Sequence, residues 1–188
     1  CEYVSGRTEE GIGMTAGKDY GMLQRFYPDA YVDSAYEIDF EKLYREGWRG
    51  VIFDIDNTLV PHGAPADGRS AALIRKLQKT GFQVMMLSNN KEPRVKMFCD
   101  AVGTPYLYKA NKPFPGSYRK AMRQMGTTEK TTLFVGDQLF TDIWGAKRTG
   151  MRTFLVRPIH PKEEIQIVLK RFLEKIVLYF YEKERGTR

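Results

Sequence analysis

Residues 50–60 read Gly50-Val51-Ile52-Phe53-Asp54-Ile55-Asp56-Asn57-Thr58-Leu59-Val60. The first part is a short run of β-branched and aromatic residues, the pattern of a strand in a parallel sheet. It breaks at once into two carboxylates, an amide and a hydroxyl. In an open α/β sheet, ligands bind beyond the carboxyl ends of the strands. The decisive question is therefore whether other strands end in equally polar groups.

Outward from this stretch, similar runs recur at Gln83 to Leu87, Pro105 to Tyr108, Thr132 to Val135 and Arg152 to Val156. With Val51 to Asp54 they make five expected strands. Between them lie amphipathic segments, Ser70 to Thr80, Pro93 to Val102, Pro115 to Met125 and Thr141 to Thr149. Each is followed by a glycine, the residue that most easily supplies the left-handed C-terminal position of a helix. Regular alternation of this kind predicts an α/β fold, a Rossmann-like three-layer sandwich on a five-stranded parallel sheet. One domain is expected over residues 22–160, with 22–49 as a helical appendage in which Asp39 caps a short helix that closes at Gly47.

The C-terminal segment, residues 161–188, carries Ile165, Val168, Leu169, Phe172, Leu173, Ile176, Val177 and Phe180 at helical spacing. It is expected to be an amphipathic helix packed on the domain. Lys162, Lys170, Arg171 and Lys175 flank the stripe, so a membrane or partner surface is the alternative, weakened by Glu163, Glu164 and Glu174. Residues 1–21 are polar and glycine-rich and are taken as a disordered or non-native leader. A mature acylated lipoprotein, which would also begin with a residue like Cys1, is the lesser alternative.

The chain has 188 residues, 42% hydrophobic and 28% charged, enough for one core without help from disulfides or metal. Its formal charge of +7 favours an anionic partner. Two cysteines, Cys1 and Cys99, make no disulfide framework, so a reducing, cytoplasmic setting is expected. No apolar run approaches the roughly 20 residues that span a bilayer, so at most a peripheral place on a membrane is expected. Cys99, Trp48 and Trp144 are read as packing residues, and His62 as a surface or substrate-proximal residue.

The polar strand ends carry the chemistry. Asp54-Ile55-Asp56-Asn57-Thr58 follows the first strand and Ser88-Asn89-Asn90 the second. Lys109 and Lys112 follow the third, and Gly136-Asp137-Gln138 with Thr141-Asp142 the fourth. Several carboxylates at one sheet edge repel one another unless a cation lies between them. An all-oxygen donor set without a His or Cys cluster favours a hard ion such as magnesium. Ser88 and Lys112 suit phosphate oxygens.

These four groups, in this order, resemble the signatures of the haloacid dehalogenase superfamily. Arg25-Phe-Tyr-Pro-Asp29 together with Asp56-Asn-Thr-Leu59 narrows the resemblance to the IIIA phosphatases that include YqeG-like proteins and phosphatidylglycerophosphate phosphatases. The resemblance implies Asp54 as a nucleophile that forms an aspartyl-phosphate and Asp56 as general acid and base. It implies Mg2+ held by Asp54, Asp56 (through its carbonyl), Asp137 and Asp142. Ser88 and Lys112 would hold the phosphoryl group; Asn89 faces the same mouth, and Thr58 braces the loop. Lys112 is preferred over Lys109 because Pro113 follows it.

Many members of that superfamily insert a cap domain between the first and second signatures or between the second and third. Here only about thirty residues separate Thr58 from Ser88, and about twenty separate Asn90 from Lys112, lengths that a helix and a strand already use. A capless site is expected, open to a bulky phosphomonoester. Phosphatidylglycerophosphate at a membrane surface is the leading expectation. Nucleotides, nucleic-acid ends and phosphoproteins follow, and a non-catalytic RNA-associated binding protein is the rival from another class.

Overall fold

Val51, Ile52 and Phe53 are completely buried, as the middle strand of a covered parallel sheet must be. They belong to a computed structural model that describes residues 23–160 and 165–186. The expected leader, residues 1–21, lies outside the described residues.

The strands are β1 (Ala30–Val32), β2 (Gly50–Phe53), β3 (Gln83–Leu87), β4 (Tyr106–Leu107), β5 (Thr132–Gly136) and β6 (Arg152–Val156). All pair in parallel, in the order β1-β6-β5-β2-β3-β4. From β2 the chain runs outward through β3 to β4, then returns to place β5 on the other side of β2. The order reverses between β2 and β5, so the crevice for a ligand opens at their carboxyl ends. Asp54 and Asp137 are the residues that follow those two strands.

Helices cover both faces, giving the expected three layers. They are α1 (Phe40–Arg45), α2 (Gly68–Thr80), α3 (Glu92–Val102), α4 (Pro115–Met125), α5 (Trp144–Lys147) and α6 (Ile165–Gly186). The two-residue period of β2 sorts the core. Val51 and Phe53 meet Phe40, Leu77 and Phe98 on one face, whereas Ile52 joins Tyr118, Ala121 and Met122 on the other. Burial of a side chain such as Phe53 contributes about 1.5–3 kcal/mol. Asp39 caps α1 through the Lys42 N–H. The glycines after α2, α3 and α4 adopt the left-handed conformation, with φ of 106° at Gly81.

All five expected strands form, and β1 is added to them. The segment 22–49 therefore contributes a strand to the sheet, not only the helical appendage expected. Three residues cannot display a hydrophobic period, and this strand is only half-buried at the sheet edge. Asp29 holds it in place: one carboxylate oxygen accepts both the N–H and the hydroxyl of Thr153, each at 2.8 Å. Burial opposes the charge on Asp29, but Lys147 and Thr153 outweigh it and keep the carboxyl below its usual value.

In α6, Val177 and Tyr181 pack on Leu139, Ile143 and Leu155. Leu173, Ile176 and Tyr179 of the same helix are exposed. Among the described residues no helix is long and apolar enough to cross a membrane.

Candidate active site

The loop after β2 is shaped by its own backbone. The Ile55 carbonyl accepts N–H groups from Thr58, Leu59 and Val60, and Asn57 donates back to the Val60 carbonyl at 2.7 Å. Asn57 takes a left-handed φ of 62°, which asparagine tolerates better than most residues. Ile55, Leu59 and Val60 sink into the core. One tight turn, plugged by three apolar side chains, thus presents Asp54 and Asp56 to the crevice.

Register brings the other strand ends to it. Phe53 pairs with Val135, and the Asp54 N–H donates to the Val135 carbonyl at 3.0 Å, so Asp54 lies beside the end of β5. Asp54, Asp137 and Asp142 are all buried, and each offers a carboxylate oxygen within 4.8 Å of the others. Asp142 reaches this point because residue 136 is glycine: a Cβ there would stand 2.5–2.7 Å from the Asp142 side chain. A π-helical turn, Leu139–Ile143, carries Asp142 back toward β5, where its second oxygen accepts the Gln138 N–H at 3.1 Å.

The Lys112 ammonium bridges two of these acids, at 2.7 Å from Asp54 and 2.7 Å from Asp142. It follows β4 and precedes a cis bond to Pro113. The Asn89 amide grips its backbone from both sides, accepting the Lys112 N–H at 2.7 Å and donating to the Lys112 carbonyl at 3.2 Å. Lys109, by contrast, is exposed.

Charge is therefore unevenly compensated. Burial pushes the Asp54 carboxyl up to about 7; Lys112 works against that shift, and the charges of Asp142 and Asp56 add to it. Burial alone would lower Lys112, but the Asp142 and Asp54 carboxylates reverse this and raise it above the ordinary lysine value. One ammonium shared by two acids leaves Asp54 short of a partner.

Asp56 belongs to a different network. One of its oxygens accepts the Gly63 N–H at 2.7 Å and the Arg94 guanidinium at 2.8 Å, and the other accepts the Asn90 amide at 2.6 Å. His62 stands 4.0 Å away and is mostly exposed. The carboxylate thus has hydrogen-bond partners separate from those of the three-acid cluster. Thr58 donates to Asp137 at 3.4 Å, and the buried Ser88 hydroxyl accepts the Asn90 N–H at 3.2 Å.

Arg94 escapes the sequence reading. Its one sequence signal is its place at the start of the helix that follows the polar group Ser88-Asn89-Asn90. The packing residues lie as expected: Trp48 stacks under Arg152, Trp144 meets Phe26, and burial pushes the Cys99 thiol up to about 12.

The three buried carboxylates fit a hard divalent cation, since all donors are oxygen and Lys112 alone bridges two of the acids. The intervals that would hold a cap contain only α2 with β3 and α3 with β4.

Residues 109–164 match the family of HAD-hydrolase-like proteins. The chain is 36% identical over 159 residues to the probable phosphatase YqeG of Bacillus subtilis, covering 84% of this chain and 92% of that one. It is 29% identical to the chloroplastic and mitochondrial phosphatidylglycerophosphate phosphatase 1 of Arabidopsis thaliana, over 88% of this chain but only 53% of the plant protein. The chloroplastic enzyme of that name from Chlamydomonas reinhardtii is 27% identical, over 88% of this chain and 65% of its own length. Among solved structures, a Vibrio cholerae protein proposed to be a 3-deoxy-D-manno-octulosonate 8-phosphate phosphatase shares the fold. It aligns with a TM-score of 0.51 at 14% identity, covering 69% of this chain and 78% of that one. Sequence kinship over nearly the whole chain, on a capless three-layer sheet with its acids at the switch point, makes this protein a member of the haloacid dehalogenase superfamily, among its YqeG-like phosphatases.

Proposed function

We propose that this protein hydrolyses a phosphomonoester with the help of magnesium, and that phosphatidylglycerophosphate is its substrate. The observation that carries the reading is the meeting of Asp54, Lys112, Asp137 and Asp142 at the sheet's switch point, with Asp56 held separately beside them.

Asp54 attacks phosphorus through a carboxylate oxygen, and the bond to the leaving oxygen breaks while Asp56 gives that oxygen a proton. Asp56 then takes a proton from water, whose oxygen attacks phosphorus and releases inorganic phosphate and the Asp54 carboxylate. Asp54, Asp137, Asp142 and the Asp56 carbonyl would hold Mg2+, which when bound would supply positive charge against the repulsion between an anionic nucleophile and an anionic phosphate. Lys112 and Ser88 orient the phosphoryl oxygens. Asn89 sets Lys112 by its backbone, and Thr58 steadies Asp137.

The lipid assignment draws on the plant and algal relatives, the capless mouth and the +7 charge, which favours an anionic surface. Its test is phosphate release from phosphatidylglycerophosphate in mixed micelles, with magnesium or chelator, for the wild type and Asp54→Asn. Magnesium-dependent release that Asp54→Asn abolishes is the expected result. Turnover of aryl phosphate, nucleotide, oligonucleotide end or phosphopeptide without lipid turnover would keep the chemistry and discard the substrate. RNA binding that Asp54→Asn leaves intact, with no hydrolysis, would discard both.

A further inference from the structure

We infer that Arg94 and Asn90 are positioning residues for Asp56, holding the proton-transferring carboxylate in one orientation beside the nucleophile. The inference rests on the general acid and base role proposed for Asp56.

Three segments converge on this one side chain. Gly63 comes from the loop after β2, Asn90 from the loop after β3, and Arg94 from the first turn of α3. Arg94 approaches through two nitrogens, Nη2 at 2.8 Å and Nε at 3.3 Å, both on the same Asp56 oxygen. Its third nitrogen, Nη1, is buried with no hydrogen-bond partner among the described residues. The side chain is 15% exposed, and Asp56 is the only acid it pairs with among the described residues. A guanidinium retained for packing alone would leave that desolvated donor as a cost with no return.

The geometry matters because proton transfer is directional. A free aspartate samples several rotamers, and only one of them points at the leaving oxygen. Asp54 has Lys112 to define it, but Lys112 does not touch Asp56, whose side-chain partners include Asn90 and Arg94. The nucleophile and the proton donor are therefore oriented by separate devices. Removing one device should impair the proton step without equally impairing the attack on phosphorus.

The leaving group reads out this separation. An alkoxide leaves poorly without a proton, whereas a nitrophenolate needs none. With magnesium present, kcat/KM is measured on an alkyl phosphate, in the first instance phosphatidylglycerophosphate in mixed micelles, and on p-nitrophenyl phosphate, because it reads the steps through ester cleavage and not the hydrolysis of the aspartyl-phosphate that both esters share. Arg94→Ala and Asn90→Ala are expected to lower kcat/KM on the alkyl ester at least about tenfold more than on the aryl ester. Arg94→Lys should recover part of the loss. Equal losses of kcat/KM on both esters with unchanged thermal unfolding would overturn the inference. If Arg94→Ala does not fold, Arg94→Lys and Asn90→Ala carry the same comparison. Asp56→Asn on the same pair separates the two readings. A ratio that fails to move there removes the acid role of Asp56 and this inference with it. A ratio that moves in Asp56→Asn but in none of the Arg94 and Asn90 variants removes this inference alone. Absence of phosphatase activity on every ester overturns both.

Discussion

The Glu174 carboxylate accepts the backbone N–H of Leu139 at 2.8 Å in a buried setting. Leu139 opens the turn that brings Asp142 to the buried acids Asp54 and Asp137, so the C-terminal helix α6 is tied directly to the loop that builds the site.

Glu174→Ala leaves a buried N–H without this acceptor, which costs about 1–3 kcal/mol. The expected result is a lower urea midpoint with an unchanged slope, together with weaker magnesium binding by calorimetry. Loss of stability without loss of magnesium affinity would show that α6 supports the fold but not the loop.

Asp54 gives a pH signature. Its carboxyl is raised from 3.8 to about 7 in the folded protein, so the folded state holds this proton more tightly than the unfolded chain does. The stabilising effect of that proton is complete below pH 3.8 and is lost as pH rises through about 7. In chelator, Asp54→Asn should therefore unfold at a higher temperature than the wild type at pH 8, with the gap narrowing as pH falls through that window. Thermal scans at matched pH check it, and a gap independent of pH would contradict the assignment.

Lys112→Met removes the ammonium shared by Asp54 and Asp142 and leaves two buried acids facing each other. Breaking such a pair from one side costs about 3–5 kcal/mol. Stability in chelator should drop by that order, and magnesium should restore part of it, as urea unfolding with and without the ion would reveal. Turnover should fall about a hundredfold or more even with magnesium saturating.

Gly136→Ala tests the approach of Asp142 to β5. A methyl group 2.5–2.7 Å from the Asp142 side chain must push that side chain or the turn outward. Overpacking of this kind costs about 1–3 kcal/mol. Magnesium affinity should fall along with stability, whereas Gly116→Ala, in α4 where nothing lies within 4 Å, should leave magnesium affinity unchanged and raise stability slightly.

The alternation of apolar strands with glycine-stopped helices is a local property, so five strands and the polar groups at their ends were legible from residue order alone. The preference for Lys112 over Lys109 rested on the proline beside it, as the resemblance implies; in the fold Lys112 meets Asp54 and Asp142 while Lys109 is exposed. The edge strand Ala30–Val32 was not legible, because three half-buried residues show no period, and what holds them is Asp29 reaching Thr153 more than a hundred positions away.

The site divides along the same line. The types and order of Asp54, Asp56, Ser88, Lys112, Asp137 and Asp142 are written in the sequence, because each follows a strand whose end faces the crevice. Which of them touch was decided by strand register and by a glycine small enough to admit Asp142. Only the assembled fold joins Asp54 to Lys112 and Asp142 while giving Asp56 to Asn90 and Arg94. A hydrogen bond between residues 38 positions apart, such as Arg94 to Asp56, depends on the packing of α3 against the sheet. No local pattern encodes that distance.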